Sequence, residues 1–385
     1  MMTVADRWLL PDGIEEILPN QALQIERLRR QVLDLYHCWG YDLVIPPLVE
    51  FTESLLSGTG SDLDLMTFKV TDQISGRMMG VRADMTPQTS RMDAHSLRRN
   101  GPSRLCYAGT VLYTRPKQAL ESRSPIQIGV ELYGEPGLEA DIEVISLMVE
   151  TLRLDLGHVG IYASLLEAAE LSADREAELF DLLQRKAVPE LDVWLGKCLD
   201  NAEIALMIRA LVGLAGDASV LDRAREVFAE APAEVELALD ELQAVVSALS
   251  ESFPDLELYL DLSELRGYHY HTGIVFAAYD QGLGQAIGNG GRYDHVGKGF
   301  GRSRPATGFN MSLQSLARVA LSGVVAGGIF APVSDELGWR KAVAALRSNG
   351  ERVVCGFPGQ EPDYQELHCD RQLVWLDGTY KITAV

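Results

Sequence analysis

Strand-forming runs occur towards both ends of this chain and are missing from its middle. Up to Gly134 they are interleaved with single helices. From 165 to about 250 the chain turns rich in Ala, Leu and Glu with helical periodicity, and from 256 strands resume as LELYLDLSEL, YHTGIVFAAYD and GQAIGNGG. A sheet built from such a chain must join strands drawn from distant segments, with the helical stretch inserted between its two halves. The strands do not alternate with helices as regular βα repeats. The predicted class is therefore α+β, a largely antiparallel sheet flanked by helices. We divide the chain into residues 1–325, with the helical insertion at about 165–252, and residues 326–385, a small strand–helix–strand α/β domain.

The local pattern fills in this outline. Residues 11–41 begin with a turn and become an amphipathic helix through Leu23, Leu28, Val32 and Leu35, ending near Gly40. Residues 42–50 read as a strand interrupted by Pro46 and Pro47. Residues 66–92 read as a hairpin and then a helix entered at Thr86-Pro87, with Thr86 as cap. Strands follow at 103–114 and 124–134, joined by the polar loop 115–123, and 138–157 reads as one helix with an acidic start.

Composition narrows the function classes. Lys and Arg number 34 against 55 acidic residues, a net charge of −21. A chain that holds a long polyanion normally presents a basic face. The nearest basic stretch is the short SLRRNGPSR at 96–104, so tRNA is not an expected partner. No apolar run is long enough to span a bilayer, and the N-terminal residues lack the basic-then-apolar pattern of a signal peptide. No membrane contact and a cytoplasmic location are expected. The five cysteines are scattered without zinc spacing, and no metal or cofactor is expected.

Several residues suit a small zwitterion bearing an imidazole. Asp84 and Thr86, two apart, accept hydrogen bonds from an ammonium if their segment is extended. Ile126, Ile128, Val130 and Leu132 take one face of their strand, which leaves Gln127 and Glu131 together on the other. Glu131 accepts from an imidazole N–H, with charge assistance if the ring is protonated. Arg266 or Arg115 meets the carboxylate, and Tyr270 offers an aromatic wall and a hydroxyl. His269 and His271 alternate as on a strand face, but no third ligand for a metal is placed near them. Duller readings are open for each of these residues: a helix cap for Asp84, a solvated sheet face for Gln127 and Glu131, ring packing for 268–271.

The order of the motifs adds a resemblance. PDGIEEILP (11–19), VRADMTPQ (81–88), PIQIGVELYG (125–134), RGYHYHTGIVF (266–276), GGRYD (290–294) and PATGFNMSL (305–313) are similar, in sequence order, to the active-site segments of histidyl-tRNA synthetases. The resemblance covers roughly the first 320 residues outside the insertion. It implies a class II aminoacyl-tRNA synthetase-like fold and a histidine site using Asp84, Thr86, Arg115, Gln127, Glu131, Arg266, Tyr270 and His271. It also implies a homodimer that pairs near 35–55 through LVIPPLVEF.

The departures carry as much weight. Where the synthetases place an Arg-x-Glu for the α-phosphate and adenine, this chain has Leu112-Tyr113-Thr114, and where they place a Glu-Arg pair it has Gln314-Ser315. Adenylation needs cationic groups against the developing phosphate charge. Arg292 and Arg302 remain as candidate anion ligands. The tail is a poor match to a synthetase anticodon-binding domain. With no catalytic residues left to assign, the chain resembles the paralogous regulatory subunits of ATP phosphoribosyltransferase. That family implies a hetero-oligomer with the short-form catalytic subunit at the first step of histidine biosynthesis. In it the regulatory chain is required for activity and mediates feedback inhibition by histidine as effector, either in the synthetase-like pocket or at a subunit interface. The rival readings are a truncated synthetase-like enzyme and a stand-alone histidine sensor. The expected outcome of a histidine-dependent pyrophosphate-exchange assay is no turnover above background, and Ser315→Arg alone does not restore it. Clear exchange by the purified chain overturns the non-catalytic reading.

Overall fold

The computed structural model describes residues 8–57, 61–116, 121–150, 153–265, 267–268, 270–279, 286–320, 327–334, 336 and 338–385. The chain divides into two units, Met1–Val319 and Ala320–Val385. Among the described residues, no helix is long and apolar enough to cross a membrane.

The first unit opens with helix α1 (Pro19–Cys38), whose first turn holds a proline at no cost in hydrogen bonds. Its buried face is Ile25, Val32 and Tyr36; Leu28 and Leu35 pack beside them, while Leu23, expected on that face, is exposed. Strands β1 (Asp42–Leu43) and β2 (Val49–Phe51) come next. They replace the single strand expected over 42–50. Pro46 and Pro47 cannot donate to a ladder, and the chain changes sheets across them. After the short helices α2 (Thr52–Leu55) and α3 (Ser61–Met66), the hairpin β3 (Phe68–Thr71) and β4 (Met78–Val81) joins β2 in a three-stranded sheet.

Helix α4 (Thr86–Arg91) continues into a π-helical turn, Met92–Leu97. Met85 occupies its cap position and Thr86 is already helical, so the expected Thr86 cap is off by one residue. The Asp84 carboxylate accepts the Thr86 N–H at 3.2 Å instead. Strands β5 (Ser103–Thr110) and β6 (Ile126–Tyr133) pair antiparallel, and α5 (Leu138–Val149) packs behind them. The helix expected over 138–157 stops at Val149, and β7 (Arg153–His158) follows. Between β10 and β9 the backbone of β7 finds ladder partners on both edges, which outweighs the helical continuation.

The middle of the chain forms α6 (Val159–Ala169), α7 (Ala173–Gln184), α8 (Val188–Cys198), α9 (Ala202–Leu211), the two-residue β8 (Ala215–Gly216), α10 (Val220–Val227) and α11 (Ala233–Ser252). Strands β9 (Leu258–Asp261), β10 (Ile274–Tyr279), β11 (Ala286–Arg292) and β12 (Ala306–Ser312) lead into α12 (Leu313–Ala320). The main sheet runs β1-β5-β6-β12-β11-β10-β7-β9-β8, antiparallel from β5 to β7 and parallel at β1/β5 and β7/β9.

Helices α1, α5, α6 and α11 bury one face of this sheet. Ile128, Val130 and Leu132 of β6 sit there with Val144, Leu147, Met148, Tyr162 and Val246. A buried ion pair pins α5 to the strands: Arg292 donates to Asp141 Oδ2 from two nitrogens at 2.8 and 2.6 Å. That use removes Arg292 from the candidate anion ligands.

In the second unit, β13 (Gly328–Ala331), α13 (Trp339–Ser348), β14 (Val353–Cys355), β15 (Cys369–Leu376) and β16 (Thr379–Ala384) form a mixed sheet in the order β14-β13-β15-β16. Ile329, Ala331, Val343, Val353 and Leu373 are its core.

Candidate functional site

The face of β6 opposite the helices is buried as well, with Gln127 and Glu131 only 3% and 1% exposed. Alternation separates these polar residues from the apolar ones, and the stretch around α4 then covers them. Met85 N–H donates to Gln127 Oε1 at 3.0 Å, and Gln127 Nε2 donates to Asp84 Oδ1 at 2.9 Å. Thr86 Oγ1 lies 3.3 Å from Asp84 Oδ1 and 3.3 Å from the Tyr107 hydroxyl. Tyr107 donates to Glu131 Oε1 at 2.9 Å, and Tyr293 donates to Glu131 Oε2. One hydrogen-bonded chain therefore runs Gln127–Asp84–Thr86–Tyr107–Glu131–Tyr293.

Glycines make room for it. Gly308 faces Glu131 in the register, and a Cβ there would collide with Glu131 Oε2. A Cβ at Gly129 would stand 2.8 Å from the Tyr107 hydroxyl.

The turn before β10 closes the Glu131 end. Tyr270 stacks at a tilt on Tyr293, with ring centroids 5.0 Å apart, and meets His271 edge-on at 5.3 Å. The Tyr270 hydroxyl is buried and finds no partner among the described residues. Gly267, Tyr268 and Tyr270 lie in turns and Thr272 and Gly273 in bends, so His271 is not on a strand as its spacing suggested; β10 begins at Ile274. His269 and Arg266 lie outside the described residues. Arg115 is exposed in a bend and takes no part in the cluster. Of the eight expected residues, six gather here: Asp84, Thr86, Gln127, Glu131, Tyr270 and His271. Among the described residues, no group of His, Cys, Asp and Glu is arranged to hold a metal.

Tyr107 and Tyr293 were not expected in the site. Register would have found Tyr107, because it pairs with Gly129, midway between Gln127 and Glu131. Tyr293 was hidden in a Gly-rich run that reads as a turn.

Burial dominates the electrostatics. It pushes the Glu131 carboxyl up to about 8, against the pull of hydrogen bonds from Tyr293, Thr86 and Tyr107 and with a further push from Asp84. Burial also raises the Tyr107, Tyr270 and Tyr293 hydroxyls well above their ordinary range, with Glu131 adding to each. The site is a buried carboxyl at one end and an Asp–Thr pair at the other. The arrangement offers hydrogen-bond acceptors to an N–H-bearing group.

Beside it lies a cavity of about 100 Å³ that shares Gln127. It occupies the side where the synthetase nucleotide motifs fall, and its walls are polar but not cationic. Asn289, Asn310, Ser312, Ser315, Glu15 and Glu121 line it, with Arg318 as the single cation among the described lining residues. The Gln314 carboxamide turns inward and accepts the Ile126 N–H at 2.8 Å. Thr114 Oγ1 donates to the Leu65 carbonyl at 2.7 Å. Among the described lining residues, two acids and one exposed arginine stand where a triphosphate would call for several cations.

A family model described as histidyl-tRNA synthetase matches residues 13–316, and one described as ATP phosphoribosyltransferase subunit HisZ C-terminal domain matches residues 326–383. The chain is 52% identical over 394 residues to an ATP phosphoribosyltransferase regulatory subunit of Teredinibacter turnerae, with 100% of both covered. It is 54% identical over 389 residues to one of Chromohalobacter salexigens, with 99% of both covered. A solved structure from Bacillus halodurans, described as an ATP phosphoribosyltransferase regulatory subunit/histidyl-tRNA synthetase, superimposes with a TM-score of 0.82 at 27% identity, covering 95% of this chain and 97% of that one.

The raised Glu131 sets a pH dependence. Unfolded, the carboxyl titrates near 4.5; folded, near 8. The folded chain holds a proton that the unfolded chain has lost, so this contribution is fully present below about pH 4.5. It disappears as pH rises through 8. Denaturant unfolding at pH 5 and pH 8.5 is expected to show the wild type losing roughly 3–5 kcal/mol relative to Glu131→Gln, at about 1.4 kcal/mol per pKa unit. Parallel pH curves for the two proteins overturn the assignment.

Proposed function

The chain belongs to the family of ATP phosphoribosyltransferase regulatory subunits, and from that premise we propose that it works without chemistry of its own. It joins the short-form catalytic subunit of that glycosyltransferase in a hetero-oligomer, is required for its activity, and brings histidine feedback to the first step of histidine biosynthesis. It acts in the cytoplasm and does not engage tRNA. The observation that carries this reading is the split character of the site. The amino-acid half keeps a buried, hydrogen-bonded Glu131, while the nucleotide half has Leu112, Thr114, Gln314 and Ser315 where adenylation needs arginines and glutamates.

Histidine is the effector whose polar groups match this site. Its imidazole N–H donates to Glu131, the buried Tyr270 hydroxyl meets the ring's far side, and its ammonium lies against Asp84 and Thr86. A ligand without ring N–H groups leaves buried acceptors unpaired, which supplies the selectivity. The building block is a homodimer that uses the apolar segment with Leu43, Ile45 and Leu48, which are 53%, 83% and 50% exposed.

Glu131→Ala is expected to weaken histidine binding by about 1.5–3 kcal/mol in titration calorimetry on the isolated chain, the worth of a charge-assisted hydrogen bond. Gln127→Ala acts in the same direction but less. By linkage, Glu131→Ala loosens feedback inhibition of the reconstituted complex while activation of the catalytic subunit persists. An unchanged inhibition curve in an assembled complex moves the effector to a subunit interface. Sedimentation of the same preparation at micromolar concentration is expected to show a dimer, and a monomer overturns the pairing.

A further inference from the structure

The basic stretch SLRRNGPSR has no part in the site, and the structure sets it against a second basic segment. The π-helical turn Met92–Leu97 ends at Arg98, whose φ of +48° reverses the chain and leaves Arg98 and Arg99 exposed. The 3-10 turn Val296–Phe300 buries Val296 and Phe300 against Ala94 and Leu105, which leaves His295 and Lys298 facing outward. The two segments are pinned together. Arg302 donates to the Arg99 carbonyl at 2.7 Å. Arg304 donates to both oxygens of Asp93 at 2.9 and 3.0 Å and to the Gly101 carbonyl at 2.6 Å.

Across 92–104 and 295–304 the sequence contains six Lys and Arg and one acid, Asp93, which is buried under Arg304. The flanking Asp294 turns inward to Thr272 and the Ala306 N–H. Exposed Asp42 pairs with Arg99 at 2.8 Å, and Glu143 takes Arg104 at 2.7 and 2.6 Å, so Arg104 adds nothing to the surface charge. Arg98, Arg99, Lys298 and Arg302 therefore form a cationic patch, with His95 and His295 exposed beside it, on a chain of net charge −21.

We propose that this patch is where an acidic face of the catalytic partner docks. The inference rests on the partnership put forward above. A strongly acidic protein repels an acidic partner over most of its surface, so a cationic patch set against that background both steers encounter and fixes orientation. Its size argues against a nucleic acid, since a stable complex of that kind neutralises many phosphates along an extended face. The acidic middle of a second copy, with nineteen acids and seven bases between 159 and 252, is the remaining alternative.

The test uses the full chain, a reversed variant (Arg98→Glu, Arg99→Glu, Lys298→Glu) and a neutralised one (the same positions to Gln), with the purified short-form catalytic subunit. Wild-type assembly is expected to weaken about tenfold or more between 50 and 300 mM salt. Reversal weakens it by about a hundredfold at low salt, and neutralisation falls between. Histidine binding by the isolated variants and their thermal unfolding stay at wild-type values, which separates lost docking from lost folding. If the wild type does not assemble with the catalytic subunit, the functional reading falls and takes this inference with it. If it assembles and the reversed chain does so equally well, only the docking assignment falls. A changed self-association of the reversed chain, or loss of a tRNA affinity that the wild type possesses, reassigns the patch and overturns the proposal.

Discussion

The pairing of β6 with β12 holds this molecule together. Ala306–Ser312 lies antiparallel on Ile126–Tyr133 in unbroken register, and it is the seam between the N-terminal and C-terminal halves of the main sheet. Everything in the site is referred to it. Gly308 opposite Glu131 leaves room for the carboxylate, and Gln127 lies opposite Ser312 at the head of α12. A one-residue slip would turn Gln127 and Glu131 into the apolar helices behind the sheet and bring Ile128 and Val130 into the site. The apolar packing of Val130 and Leu132 against the helices thus fixes where the polar chemistry points.

Burying a carboxylate among three tyrosines is unfavourable unless a partner satisfies it. Two hydroxyls already reach Glu131, and a third, on Tyr270, is left over. Burial shifts Glu131 towards its neutral form, which offsets part of this cost. The adjoining cavity has gone the other way. Its carboxamides and hydroxyls satisfy the backbone, as Gln314 does for Ile126, and leave little positive charge to draw in a nucleotide. The two halves thus differ in electrostatic demand although they share Gln127.

Much of this was legible in the sequence because it depends on period and order. Alternation along 126–132 separated the core face from the site face, and the motif order pointed to a synthetase-like sheet flanked by helices. Pairing was less legible. Residues 153–158 looked helical because the preceding stretch is, and only the ladders with β10 and β9 make them a strand. Pro46-Pro47 looked like a kink in one strand and is a crossing between two sheets. Tyr107 and Tyr293 are silent in one dimension, since their partner Glu131 lies 24 and 162 residues away. Arg292 looked like a ligand for an anion, and Asp141, far away in the chain, had already claimed it.

The same seam has a consequence in time. β6 leaves the ribosome with one edge taken by β5 and the other waiting for β12, which the ribosome has yet to make. At typical bacterial elongation of about 5–20 residues per second, that edge stands open for roughly 10–35 s. The helices synthesised in the interval, α6 to α11, are rich in local contacts and fold far faster than that. They give the nascent chain a folded body before its sheet can close. Until then the unpaired backbone edge of β6 is open to wrong pairing.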